Sequence, residues 1–456
     1  MNNLWHYLLA AMLSISIIVL NYTGTQSAFW QMLPFYIIAF STYVLILKSV
    51  DTSKKLGFWL LLGVFLRFCQ LFYFPNLSDD VYRFIWDGCL WLNGINPLEQ
   101  LPSHYIEQNI DIQGINLELY QQLNSPNYYT IYPPIAQLNF VVACWLFPSS
   151  IIGSAFIMKF FLFIFECGSL FVISKLLKKW NLPLKNVLIY ALNPLIIIEI
   201  IGNLHFEGAM IFFLLLSTLA LTKEKWITSA IFMALSISSK LLPIMFLPLL
   251  IKRLGWKQSI FYFSIVAAVV VALFLPLFNK LAIQNFANSL DLYFRKFEFN
   301  ASIYYIFRSI GFALKGYNMI SFIGPITALC ALSSILLFSF FEKKPNINSL
   351  PSAMLFAISI YLIFATTIHP WYLAMPLVLC TFTSFRFPIA WSGLVFFTYV
   401  NYSYPIYKEN IWVVIIEYII VIVFVLYELF FLMKSERLPQ NHPKGNPPNQ
   451  VIEDNR

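Results

Sequence analysis

Charge is what this chain lacks. Only 11% of its 456 residues are Asp, Glu, Lys or Arg, whereas 59% are hydrophobic. That leaves too little polar surface to enclose an apolar core in water, so the bilayer must be the solvent. Cysteine is scarce as well. Cys69, Cys144, Cys167, Cys330 and Cys380 sit in apolar runs and only Cys89 in a long hydrophilic stretch, so neither a disulfide framework nor a metal-ligand spacing is implied. The formal charge of +8 comes from short basic clusters beside apolar runs. This pattern argues against a nucleic-acid partner and suits a positive-inside topology. No Lys or Arg precedes the first apolar run, Trp5 to Leu20, which reads as an uncleaved helix and not as a signal peptide.

What is present is a succession of apolar runs able to cross about 30 Å of hydrocarbon, beginning at residues 5–21 and ending at 411–433. They predict an all-α polytopic membrane protein with roughly 11 to 14 transmembrane helices. Residues 1–433 read as one integral membrane domain and 434–456 as a disordered cytoplasmic tail. Two hydrophilic segments interrupt the runs. Residues 75–131 carry seven carboxylates against a single Arg and no Lys, and 279–318 carry an amphipathic, basic and aromatic helix. The acidic segment belongs outside the cytoplasm and the Lys-rich connections inside it. This parity holds throughout if the short piece at 134–149, bounded by Pro133-Pro134 and Pro148, dips into the membrane without crossing.

Several polar groups then fall on one side. Asp79 and Asp80, followed by Arg83 and Asp87, share a helix face because three, four and seven residues are near-integral turns. A carboxylate there suits a general base, and an Arg fork suits phosphate; an N-cap with an i,i+4 ion pair would look the same. Tyr132-Pro133-Pro134 leads back into the membrane with Gln137 one turn further on, either a helix entry or a means of reaching a ligand. Asn193-Pro194-Leu195 is expected inside a helix leading to Asn203, His205 and Glu207, polar groups that are costly in lipid and mark a substrate path unless they merely cap and snorkel. Lys240 ends a run that starts at the basic Lys225, so its ammonium is expected on the side opposite the Lys-rich connections, where it would neutralise a lipid phosphate. His369-Pro370-Trp371-Tyr372 forms a short turn on that side, suited to stacking a sugar or simply to the aromatic belt.

The order of these motifs (an acidic pair, Tyr-Pro-Pro, Asn-Pro-Leu before Gly-Asn-x-His-x-Glu, Lys-x-x-Pro, His-Pro-Trp-Tyr) resembles the GT-C class of polyprenyl-phosphate-sugar-dependent glycosyltransferases over roughly residues 57 to 375. Within that class it is most similar to polyprenol-phosphomannose-dependent mannosyltransferases, including bacterial alpha-mannosyltransferases and the first mannosyltransferase of GPI-anchor assembly. The resemblance implies a GT-C-like helix bundle. It also implies an inverting transfer, of mannose, from polyprenyl phosphate to a lipid-linked or surface glycan at the extracytoplasmic face of the inner membrane. Asp79 or Asp80 would be the catalytic acid group, and Lys240 with His369 would face the donor phosphate. The two acids are adjacent here, whereas much of the class has one residue between them, which leaves open which is the base and whether a divalent metal binds; no cofactor is otherwise implied. The rival readings are a flippase or transporter of lipid-linked sugars, for which no row of charges buried in mid-span is apparent, and a polysaccharide polymerase.

Overall fold

The computed structural model describes residues 3–50 and 53–437. Among them there is no β-strand, only an isolated bridge between Phe299 and Thr367, and the protein is an all-α polytopic membrane protein. Seven helices are long and apolar enough to cross a bilayer: Leu4–Thr23, Gln26–Ser49, Lys54–Phe72, Ile151–Lys179, Trp256–Phe274, Ile320–Phe341 and Ile411–Phe431. Their outward faces carry side chains such as Leu61, Ile152, Phe322 and Phe430, all more than 60% exposed, as a lipid-facing surface requires. The last helix runs on to Arg437; residues 438–456, the greater part of the expected tail, lie outside the described chain.

Basic connections gather at one end. Trp180 packs on Phe382, Asn186 donates to the Thr381 carbonyl, the Arg386 backbone N–H donates to Glu428, and Arg253 pairs with Glu342 at 2.6 Å. The acidic segment lies at the other end. Its Asp80–Leu92 helix buries Val81, Phe84, Ile85 and Cys89 against the Pro134–Leu146 helix, where Phe84 and Phe140 stack at 4.5 Å. Gly88 permits that approach, since a Cβ there would sit 2.6 Å from the Phe140 carbonyl oxygen. Pro134–Leu146 begins beside Asp80 and ends where Pro148 meets Gly114 of the same acidic segment. Both of its ends therefore lie at one end of the bundle, and its 13 residues span only about 20 Å. The helices Lys280–Lys296 and Ile303–Lys315 belong to this end too, for Asn285 donates to the Leu98 carbonyl and Ser289 to that of Tyr129.

Asn193-Pro194 does not lie inside a continuous helix as expected. It separates Leu184–Ala191 from Pro194–Gly202, and the two pieces are bent by 52°. Pro194 supplies no N–H, and the Asn193 side chain caps the second piece at the Ile196 N–H. The carbonyls orphaned at the break, Tyr190 and Ala191, accept from the Arg67 guanidinium. Arg67 is fully buried and also pairs with Glu166 at 2.9 Å, whose other oxygen accepts from Tyr190 at 2.7 Å. Charges buried in mid-span, which the sequence reading did not find, are thus present: Arg67, Glu166, Lys159 and Glu417 are all at most 1% exposed. In lipid a broken helix persists only where other groups satisfy its backbone.

Removing Arg67 leaves Glu166 as an uncompensated buried charge beside two open carbonyls, a loss of about 3–5 kcal/mol. Arg67→Met is expected to lower the thermal unfolding midpoint in detergent sharply, and Arg67→Met with Glu166→Leu to recover much of it. A single variant as stable as the wild type would contradict this account of the break.

Candidate active site

Four helices shorter than the hydrocarbon thickness meet at the acidic end: Glu207–Leu221, Trp226–Ser239, Leu350–Phe364 and Pro370–Cys380. They hold 15, 14, 15 and 11 residues, about 16–22 Å of rise against the roughly 30 Å of a bilayer core. Each leaves the basic end or returns to it, so their opposite ends stop below the level reached by the longer helices. The termini that stop short carry Glu207, Lys240, the Thr366–His369 turn and Trp371.

Asp80 is held from two directions. The Tyr132 hydroxyl donates to one carboxylate oxygen at 2.9 Å and the Asn124 amide to the other at 2.8 Å, while its own N–H donates to Ser78. Asp79, its exposed neighbour, has a carboxyl pushed above the usual aspartate range by partial desolvation and by the Asp80 charge. The chain just before the pair is pinned: the Leu77 N–H donates to Asn203 Oδ1 at 3.1 Å and its carbonyl accepts from Gln26. Tyr132 and Tyr293 each lie within the field of both the Asp80 and the Glu207 carboxylates, which places the acidic pair and the short-helix termini in one neighbourhood.

Lys240 is not an open ammonium. It forms an ion pair with Glu207, lies 4.6 Å over the Tyr372 ring and remains about one-third exposed; Tyr372 in turn shares a hydrogen bond with Tyr293. Four rings run on from there. His205 stacks on Trp371 at 3.7 Å, Trp371 on His369 at 4.5 Å, and His369 on Phe299 at 4.9 Å. Trp371 is therefore already stacked with two imidazoles, which narrows the sugar-stacking role expected of it. The Phe299 backbone fixes the turn, donating to the Thr366 carbonyl and accepting from the Ile368 N–H.

Four expected ligand residues are used up inside the protein. Arg83 pairs with Asp87 at 2.8 Å through Nε and donates from Nη1 to the Ser125 and Tyr128 carbonyls, so that side of its fork clamps a loop. Asp87 is fully buried and accepts from Gln137, whose oxygen accepts from Trp91. Asn203 donates to the Ile198 carbonyl and to Glu199 while accepting from Leu77, which makes it the pin that positions the acidic pair. The sequence reading gave no role to Asn124, Phe299 or Glu199. Of these only Glu199 carried a signal, a carboxylate amid Ile197–Ile201; it accepts from Tyr399 at 2.7 Å. Among the described residues no three His, Cys, Asp or Glu side chains converge as a metal-ligand set.

The model of the MptA_B family, described as alpha-(1->6)-mannopyranosyltransferase, N-terminal domain, matches residues 11–254. This is more than half of the chain, and it takes in every site residue from Asp79 to Lys240. The chain belongs to that family. It is accordingly a glycosyltransferase of the membrane, a mannosyltransferase, in accord with the GT-C resemblance, and the transporter reading loses its support. The turn at His369 and the hairpin bearing Tyr293 and Phe299 lie beyond the matched stretch. No curated protein matches the chain in a direct comparison.

Because Arg83 holds a loop in this mannosyltransferase, Arg83→Lys keeps the charge but forfeits the fork. The expected result is a lowered unfolding midpoint with an unchanged KM for the sugar donor; a raised KM at unchanged stability would return Arg83 to the phosphate.

Proposed function

We propose that the protein transfers mannose from a polyprenyl-phosphate donor, with inversion, to a glycan acceptor at the extracytoplasmic face of the inner membrane. The observation that carries this reading is the length of the short helices, 11 to 15 residues against the roughly 20 that cross a bilayer. Because the short helices stop inside the bilayer's thickness, a donor whose lipid tail stays in the hydrocarbon can bring its headgroup to Lys240 without leaving the membrane. A water-soluble nucleotide sugar would have no need of such depth. The face is inferred from charge, since Lys178, Lys179, Lys223, Lys225, Lys252 and Lys343 cluster at the far end.

In this reading Asp80 takes the proton of the acceptor hydroxyl. Its two hydrogen bonds aim the carboxylate, as a general base needs. The acceptor oxygen attacks the anomeric carbon from the side opposite the phosphate, the bond to the phosphate oxygen breaks, and the polyprenyl phosphate departs as an anion. Lys240 stabilises that developing charge, the kind of electrostatic contribution that is usually largest in such steps. The Lys240–Glu207 pair keeps the ammonium in place before the donor arrives, and Tyr372 lies beneath it.

Reconstituted with labelled polyprenyl-phosphate mannose and a mannan acceptor, Asp80→Asn should lose about 100- to 10,000-fold in transfer rate while reaching the membrane in normal amount. Activity retained in both Asp79→Asn and Asp80→Asn would remove the pair from the mechanism. Sidedness has its own check. In intact cells a membrane-impermeant maleimide should label Gln108→Cys in the acidic segment and spare Lys344→Cys; the reverse would invert the topology.

A further inference from the structure

His205 carries a polar atom that the protein itself does not use. Its Nδ1 lies 2.8 Å from the Glu199 carbonyl oxygen; a carbonyl can only accept, so Nδ1 bears the proton. In the neutral ring the free lone pair then belongs to Nε2, which is buried and has no hydrogen-bond partner among the described residues. The ring is 3% exposed and lies flat on Trp371, 15° from parallel, so Nε2 cannot turn out to water. Burial, the Lys240 ammonium and the nearby His369 ring oppose a second proton on the imidazole, which would convert Nε2 into a donor. A buried acceptor without a partner is destabilising. Retaining one beside a binding site is explained if a ligand supplies the missing proton donor.

We infer that Nε2 of His205 accepts a hydrogen bond from one hydroxyl of the donor's mannosyl group, making His205 a specificity-determining residue and not a phosphate contact. The chemistry selects the group. An ionised phosphate has no proton to give, whereas every free sugar hydroxyl does. Position selects the donor: His205 senses the Lys240 charge, and Lys240 lies over Tyr372, whose neighbour Trp371 stacks on His205, so a sugar bonded directly to a phosphate at Lys240 is the part of the donor on the side of the imidazole. The assignment rests on the polyprenyl-phosphate donor proposed above.

The test uses the full chain in lipid nanodiscs, transferring labelled mannose from polyprenyl-phosphate mannose to an alpha-1,6-linked mannooligosaccharide. Unlabelled donors bearing fluorine in place of the 2-, 3-, 4- or 6-hydroxyl serve as competitors. Fluorine cannot donate a hydrogen bond, and competition reads binding free of any effect of fluorine on the chemical step. One of the four analogues is expected to compete about ten- to a hundred-fold more weakly than the parent donor against the wild type. Against His205→Phe the same analogue should compete as well as the parent, while His205→Gln, which keeps an acceptor oxygen, should retain part of the discrimination. If all four compete within about two-fold of the parent against the wild type, the inference is overturned whether or not either variant folds. It is also overturned if discrimination persists in His205→Phe, or arises only when the fluorine is moved to the acceptor oligosaccharide. A wild type that transfers nothing from this donor, yet transfers mannose from another, would overturn the donor reading itself.

Discussion

Four helices that end inside the bilayer's thickness are the constraint on which this molecule depends. A helix that stops early exposes backbone and polar side chains at a depth where lipid cannot solvate them. The protein answers this by bringing the blunt ends together, so that each supplies what another lacks. Lys240 at one end meets Glu207 at another, the Thr366 carbonyl and Ile368 N–H meet Phe299, and the imidazoles of His205 and His369 lie against Trp371. This polar cluster follows from helix length as much as from any motif.

The break at Asn193-Pro194 serves the same end. A straight helix from Leu184 to Gly202 would continue past the level at which Glu207 and Lys240 meet; the 52° bend turns its second half so that Glu199, Asn203 and His205 reach the blunt ends. Arg67 makes the bend tolerable by accepting the burden of the unpaired carbonyls, and Glu166 makes Arg67 tolerable in turn. Buried ion pairs are weak evidence of stability. Here the pair has a definite structural task, since the guanidinium is the donor that a proline-interrupted backbone requires.

Composition and periodicity disclosed the class of fold, because lipid enforces it. Apolar runs must be helices, and the short Lys-rich connections lie away from the acidic segment, whereas the basic helices Lys280–Lys296 and Ile303–Lys315 lie beside it. Topology put Asp80, His205, Glu207, Lys240 and His369 on one side; that Glu207 pairs with Lys240 and that His205 and His369 stack on Trp371 are tertiary facts it did not contain. What each side chain does there was not legible either. Arg83 and Gln137 have the right chemistry for ligands, but whether a fork meets phosphate or the carbonyls of Ser125 and Tyr128 depends on where a loop some 40 residues away passes, a tertiary fact with no local signature. Phe299 had no signal at all, being one Phe among 46. Arg67 could be seen in its apolar run, but its partner lies 99 residues on, and no periodicity relates the two.

Asn203 connects these scales. Its side chain spends one bond on the Ile198 carbonyl, one on Glu199 and one on the Leu77 N–H, so the bent helix that delivers His205 and the loop that delivers Asp79 and Asp80 are fastened to a single amide. In the proposed reaction a base supplied by the acidic segment and an imidazole supplied by the membrane domain have to keep a fixed separation, because a displacement of about 1 Å at reacting groups can cost about 100-fold in rate. A surface loop free to move would not hold that distance. Three hydrogen bonds from one buried residue tie the aqueous half of the site to its recessed half, which is why Asn203 belongs to the machinery although it has no atom left over for a ligand.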